Sequence, residues 1–184
     1  MTAQRRRPAD TATELRAIRA EIRDLADRAP SLPPPCDLRA EERLVTAALD
    51  GLDPESTRRQ RELALRVLSS LPADDILDPE LSVILSVLAI ILGEGVVASN
   101  AAILSVAWSS TRLAAPHLKE RLADLRRLPV VAFVDEDLAR VRDLARMRRA
   151  LAHVSQADAA LRLGQAGAAS AALRAAIVAL EAGQ

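Results

Sequence analysis

Four side chains near the C-terminal end of the chain could do chemistry together: Arg142, Arg146, Arg149 and His153. Spacings of i, i+4, i+7 and i+11 bring them to one face of a helix. Three guanidinium groups and an imidazole in a row could hold phosphates or a partner's carboxylates. The plainer reading of such a row is a solvated polar face. A second candidate is Glu94, the only charged residue between Leu81 and Trp108. It stands between Gly93 and Gly95. Held among apolar groups, it would be a buried ionisable residue able to act as a switch. In a turn between helices it would simply be solvated.

Other chemistry is missing from the pattern. No phosphate-binding glycine loop and no dinucleotide fingerprint occurs. The two histidines, His117 and His153, have no cysteines at ligand spacing, so no metal site is expected. Asp74-Asp75 lacks a second acidic pair to share a cation with. Cys36, the single cysteine, has no histidine or other base beside it in sequence, and no intramolecular disulfide can form. No serine sits in a nucleophile elbow. The chain is therefore not expected to be an enzyme, and no catalytic residue or cofactor is assigned.

Composition narrows the class. The chain has 184 residues, half of them hydrophobic, and aromatics amount to 1%. Leu, Ala, Val and Ile must build the core, and Leu and Ala are strong helix formers. No window alternates with period two for long, and six glycines are few for a chain of tight β-turns. Lys plus Arg and Asp plus Glu both number 25, so the formal charge is zero, which weakens a nucleic-acid reading. Missing aromatics remove the stacking platform that single strands need. Lys119 is the only lysine, an arginine bias that suits a GC-rich, bacterial genome. No apolar segment follows Arg5–Arg7, so no secretory signal is expected. These features point to a cytoplasmic protein.

The elements that must position such residues follow from punctuation and periodicity. Residues 1–10 read as a disordered basic tail. Thr11 to Glu14 has capping-box form. Leu15, Ile18, Ile22 and Leu25 then recur at 3-4-3 spacing, the seam pattern of a coiled coil. That predicts an arm helix over 11–29, too short to be stable alone. It is followed by a stiff proline-rich hinge, 30–36. Four capped helical segments are expected beyond it, with caps at Asp37, Asp53, Asp78 and Asp135. The Asp53 helix would carry Leu63, Val67, Leu68 and Leu71 inside. The Asp78-Pro79 start opens a segment that is apolar on every side from Leu81 to Leu92. Gly93 would end it, and a second apolar helix would run over 95–114. A short amphipathic helix after Pro116 would bury Leu118, Leu122 and Leu125. Residues 129–134 read as a buried extended connection. Asp135 would cap a long helix to about Leu163.

The last segment carries a resemblance. Leu163-Gly164 suits an inter-helix turn, and Ala169, Leu173 and Ala176 suit a small–large–small helix face. Residues 150–182 thus resemble a single tetratricopeptide-like helical hairpin. His153 and Ala160 stand where that family has larger residues, and no closing proline follows. The resemblance implies peptide or protein binding through helical surfaces.

The expected architecture is all-α: a helical bundle or short helical array of about seven helices over 37–184, preceded by the arm helix and hinge. The expected function is protein–protein interaction, as an adaptor, scaffold or assembly subunit that binds a protein partner or itself. Leu15, Ile18, Ile22, Leu25, Arg142, Arg146, Arg149 and His153 are the candidate contacts. The alternative is a membrane-associated protein with 81–108 inserted, effector or pore-like, using Glu94. A ligand-binding bundle is the third reading.

Overall fold

A computed structural model describes residues 34–111, 115–129 and 133–182. The basic tail, the arm helix with Leu15, Ile18, Ile22 and Leu25, and the hinge up to residue 33 lie outside the described residues. The regular structure is helical throughout, with no strand among the described residues. In chain order the helices are α1 (Leu38–Gly51), α2 (Arg58–Ser70), α3 (Pro79–Glu94), α4 (Asn100–Thr111), α5 (Ala115–Leu125), α6 (Val134–Arg162) and α7 (Ala166–Glu181). A short 3-10 turn, Ala73–Asp75, joins α2 to α3. The described residues form two compact units, one of Cys36–Ala145 and one of the stretch from Arg146 onward together with the residues up to Pro35.

In the first unit, α1 is the central element. Asp37 caps it by accepting the Ala40 amide at 3.1 Å. Ala40, Leu44, Val45, Ala48 and Leu49 are all fully buried. Helix α2 crosses it closely at Gly51. A Cβ there would stand 2.3 Å from the Gln60 carbonyl oxygen and 2.4 Å from the Ala64 Cβ. Helix α2 starts at Arg58, later than the Asp53-Pro54 signal. The reason is a capping box: Thr57 accepts the Gln60 amide while the Gln60 side chain accepts the Thr57 amide.

Helix α3 starts as its Asp-Pro signal predicts, with the Asp78 carboxylate accepting the Glu80 and Leu81 amides at 2.9 and 3.0 Å. Its end differs from expectation. The helix runs through Gly93 to Glu94, and Gly95 is the residue in the left-handed conformation, φ +66°. The Gly95 amide donates to Leu92 and the Val96 amide to Ile91, a Schellman closure. Helix α4 begins at Asn100, after a short non-helical stretch. Helix α5 buries Leu118, Leu122 and Leu125 as its periodicity requires. Helix α6 starts at Val134, so Asp135 lies in its first turn. Phe133 is exposed, not part of a buried connection.

One residue reverses its expected side. Glu41 reads from the sequence as solvent-facing, but it is fully buried. Its carboxylate accepts the amides of Leu77 and Asp78 at 3.1 Å. Those donors lie just ahead of α3, where backbone amides have no intrahelical partner and the helix dipole favours negative charge. Four contacts tie the start of α6 to the same unit. Arg43 reaches Asp137 at 2.7 Å, Arg66 grips Asp135 at 2.8 and 2.9 Å, and Arg140 reaches Asp37 at 2.6 Å. Arg142 donates to the Ser70 carbonyl at 2.9 Å.

The second unit contains an antiparallel hairpin. Helix α6 ends in a Schellman closure, Gly164 (φ +75°) donating to Leu161 and Gln165 to Ala160. The turn falls at Leu163-Gly164, and α7 returns. The cluster between the two helices is built from Ala157, Ala160 and Ala169, with Leu161, Ala172 and Leu173 packed beside it.

Candidate functional site

Arg142, Arg146, Arg149 and His153 all lie on the continuous helix α6. Arg142 belongs to the first unit, while Arg146, Arg149 and His153 belong to the second. Arg142 is half-buried, with both its Nε and Nη2 on the Ser70 carbonyl. Arg146 and Arg149 are also engaged in polar contacts. His153 Nδ1 lies 3.2 Å from the Gln156 side-chain oxygen. Glu94 is exposed at the end of α3, which corrects its reading as a buried ionisable group. The helix continues two residues farther than Gly93 suggests and ends with Glu94 exposed.

Acidic clusters in the first unit are similarly committed. A recess of about 190 Å³ is lined by Asp50, Asp53, Glu55, Ser56 and Gln60. Arg126, just past the end of α5, donates to Asp53 at 3.1 Å, Asn100 at 2.9 Å and the Ala98 carbonyl at 3.3 Å. Burial raises the Asp50 carboxyl above its ordinary value, against the pull of Arg126. Arg121 likewise lies between Glu42 at 2.9 Å and Asp78 at 3.4 Å. Among the described residues no group of His, Cys, Asp and Glu could hold a metal ion.

What remains uncommitted is apolar. Helix α3 buries Leu81, Ile84, Leu85, Val87, Leu88 and Ile91 against its unit. It has more apolar residues than one buried face can use, and the excess emerges near its C-terminal end. Ile90 and Leu92 are 40% and 37% exposed, and Val96 and Val97 follow, exposed as well. Helix α2 contributes Leu65, 46% exposed. Between the two helices runs an open groove of about 590 Å³. Its α2 wall is Leu65, Arg66, Leu68 and Ser69, and its α3 wall is Ala89, Leu92 and Gly93. Gly93 widens it, because a Cβ there would meet nothing within 4 Å. The one charge on the wall, Arg66, is already held by Asp135.

Sequence reasoning placed Leu68 and Leu92 in the core and passed over Leu65. A signal was present: α3 is apolar on all sides although α1 can cover only one of them. Comparison with known proteins adds nothing to this site, since no family model, curated protein or solved structure matches the chain.

Proposed function

We propose that this chain is a protein–protein interaction module, an adaptor, scaffold or assembly subunit, whose first unit receives an apolar helix of a partner protein in the α2–α3 groove. The observation that carries the reading is the pair of exposed leucines, Leu65 and Leu92, one on each wall of an apolar groove with no unpaired charge. Small-molecule sites enclose most of their ligand. This groove is open along its length, and exposed Ile90, Val96 and Val97 extend the apolar area beyond it. That shape suits an amphipathic helix laid into a groove, read by anchors at i, i+3 or i+4, and i+7. Desolvating such a surface costs little because its polar groups are already paired.

Insertion of 81–108 into a bilayer fits less well. No helix among the described residues is long and apolar enough to cross a membrane. The side chains of α3 that would have to face lipid are packed against α1 and its neighbours.

The test uses Gly93. A photo-reactive phenylalanine analogue at position 93 has room to stand in the groove. Irradiation in cells is expected to give discrete adducts to protein. Leu92→Glu, which puts a carboxylate on the groove wall, is expected to abolish them while circular dichroism shows the helices still folded. Adducts only to lipid, or none with protein, would end this reading.

A further inference from the structure

Helix α4 carries no charge on any side. No residue from Gly95 to Thr111 is ionisable. The buried side of the helix holds Ile103 and Ala107. Its exposed side holds Ala101, Ser105, Trp108 and Ser109. Trp108 is the only tryptophan in the chain, and it is 60% exposed. Interfaces between proteins concentrate tryptophan relative to the rest of the surface.

This face fits a second copy of itself. A two-fold axis sets a surface patch against the same patch, so any charge near the axis meets its own kind. The exposed side of α4 is free of that cost. It also holds both a knob and a hole. Each residue of a helix turns about 100° from the last, so Ala101 and Trp108, seven apart, leave the helix within about 20° of each other. They stand about 10 Å apart along the axis. Place two α4 helices antiparallel, with the two-fold axis level with the midpoint between Leu104 and Ser105. Each Trp108 is then level with Ala101 of the other copy. A two-fold axis across the seam keeps a side chain on its own side of the seam, so the indole and the methyl group meet. Ser105, beside the axis, is small enough to let the helices approach to the near end of the usual range of about 8–10 Å.

The area involved sets the strength. A tryptophan buries about 150–250 Å² in full. The exposed parts of two indoles, with the surface they cover, come to several hundred Å². That is below the roughly 1,200 Å² of a stable pair and in the range of weak, reversible ones.

We propose that the chain self-associates as a weak two-fold dimer through the exposed face of α4, Trp108 of each copy seated on Ala101 of the other. This dimer is independent of the α2–α3 groove, since Leu65 and Leu92 take no part in it.

Sedimentation velocity on the full chain in reductant tests it, and is expected to show monomer and dimer in concentration-dependent exchange. The single indole reports its own burial, and its emission should shift to the blue as dimer forms. Trp108→Ala is expected to weaken the dimer at least tenfold, as loss of a central aromatic anchor does. Ala101→Trp, which brings two indoles to one place, should weaken it as well. Ala101→Trp combined with Trp108→Ala exchanges knob and hole and should restore it. Monomer at every concentration, a dimer unmoved by Trp108→Ala, or no restoration in the exchanged variant would overturn the proposal. A second measurement does not depend on those variants folding. In a Cys36→Ser background, Ser105→Cys is expected to form a disulfide between copies several-fold faster than Glu94→Cys, which is exposed but lies off this face. Equal rates would place the contact elsewhere and overturn it.

Discussion

At the scale of single residues, the least expected assignment is Glu41. A carboxylate within a run of charged residues, Arg39 to Arg43, reads as part of a wet face. The fold turns it inward because α3 must begin against α1, and the amides of Leu77 and Asp78 need an acceptor there. Replacing Glu41 by Ala would leave two amides without that acceptor and open a void. The expected loss is about 2–3 kcal/mol in urea denaturation, with Glu41→Gln less damaging because it keeps one acceptor and the shape. A loss under about 0.5 kcal/mol would mean that water takes over the carboxylate's role. Nothing in the local sequence around Glu41 announces any of this. Its burial depends on a residue pair 36 and 37 positions away.

At the scale of elements, what was legible depended on local punctuation. Asp78-Pro79 starts α3 and Leu163-Gly164 turns α6 into α7, because caps act through neighbours in sequence. Leu118, Leu122 and Leu125 were legible for the same reason, a clear stripe at spacings of four and three with charges opposite. The start of α2 was misplaced because Asp53-Pro54 competes with the Thr57–Gln60 box, and the reciprocal pair of hydrogen bonds prevails. The groove was illegible because it depends on how far α2 covers α3. Glycines separate these cases experimentally. Gly93→Ala, inside an exposed helical turn, is expected to stabilise the first unit by about 0.5–1 kcal/mol. Gly95→Ala should cost about 1 kcal/mol, since φ +66° disfavours a Cβ. Gly51→Ala should cost about 1–3 kcal/mol, because the new methyl meets the α2 backbone. Thermal unfolding of the three variants would show the order; a stabilising Gly51→Ala would contradict the close crossing of α1 and α2.

At the scale of the whole molecule, composition made the all-α class legible, while the division after Ala145 was not, since it falls inside a continuous helical pattern. Stability against pH is also a property of the whole. Asp37 sits below its ordinary value of 3.8, held first by the Ala40 amide and then by Arg140. Its contribution is present above that ordinary value and fades as pH falls through the lower folded value. Asp50 runs the other way: raised by burial, it favours the folded state when protonated, and that contribution is lost as pH rises through its folded value. Asp50→Asn is therefore expected to raise Tm at pH 7 and to leave it nearly unchanged at pH 3. Circular dichroism melts across that range would decide it; an unchanged Tm at pH 7 would show that the ionised Asp50 carries no penalty.

Cys36 is exposed and is the only thiol in the chain. Air oxidation can therefore join two copies and must stop there, because a chain with one thiol has no valence for a third. A covalent dimer that vanishes with reductant reports the solvent's redox state, and only the species that persists in reductant reports assembly. The same single thiol accepts one dye per molecule without mutagenesis, at the first residue of the first unit and next to Pro35. Its fluorescence anisotropy would follow the motion of the chain at the start of the first unit in the unmodified sequence.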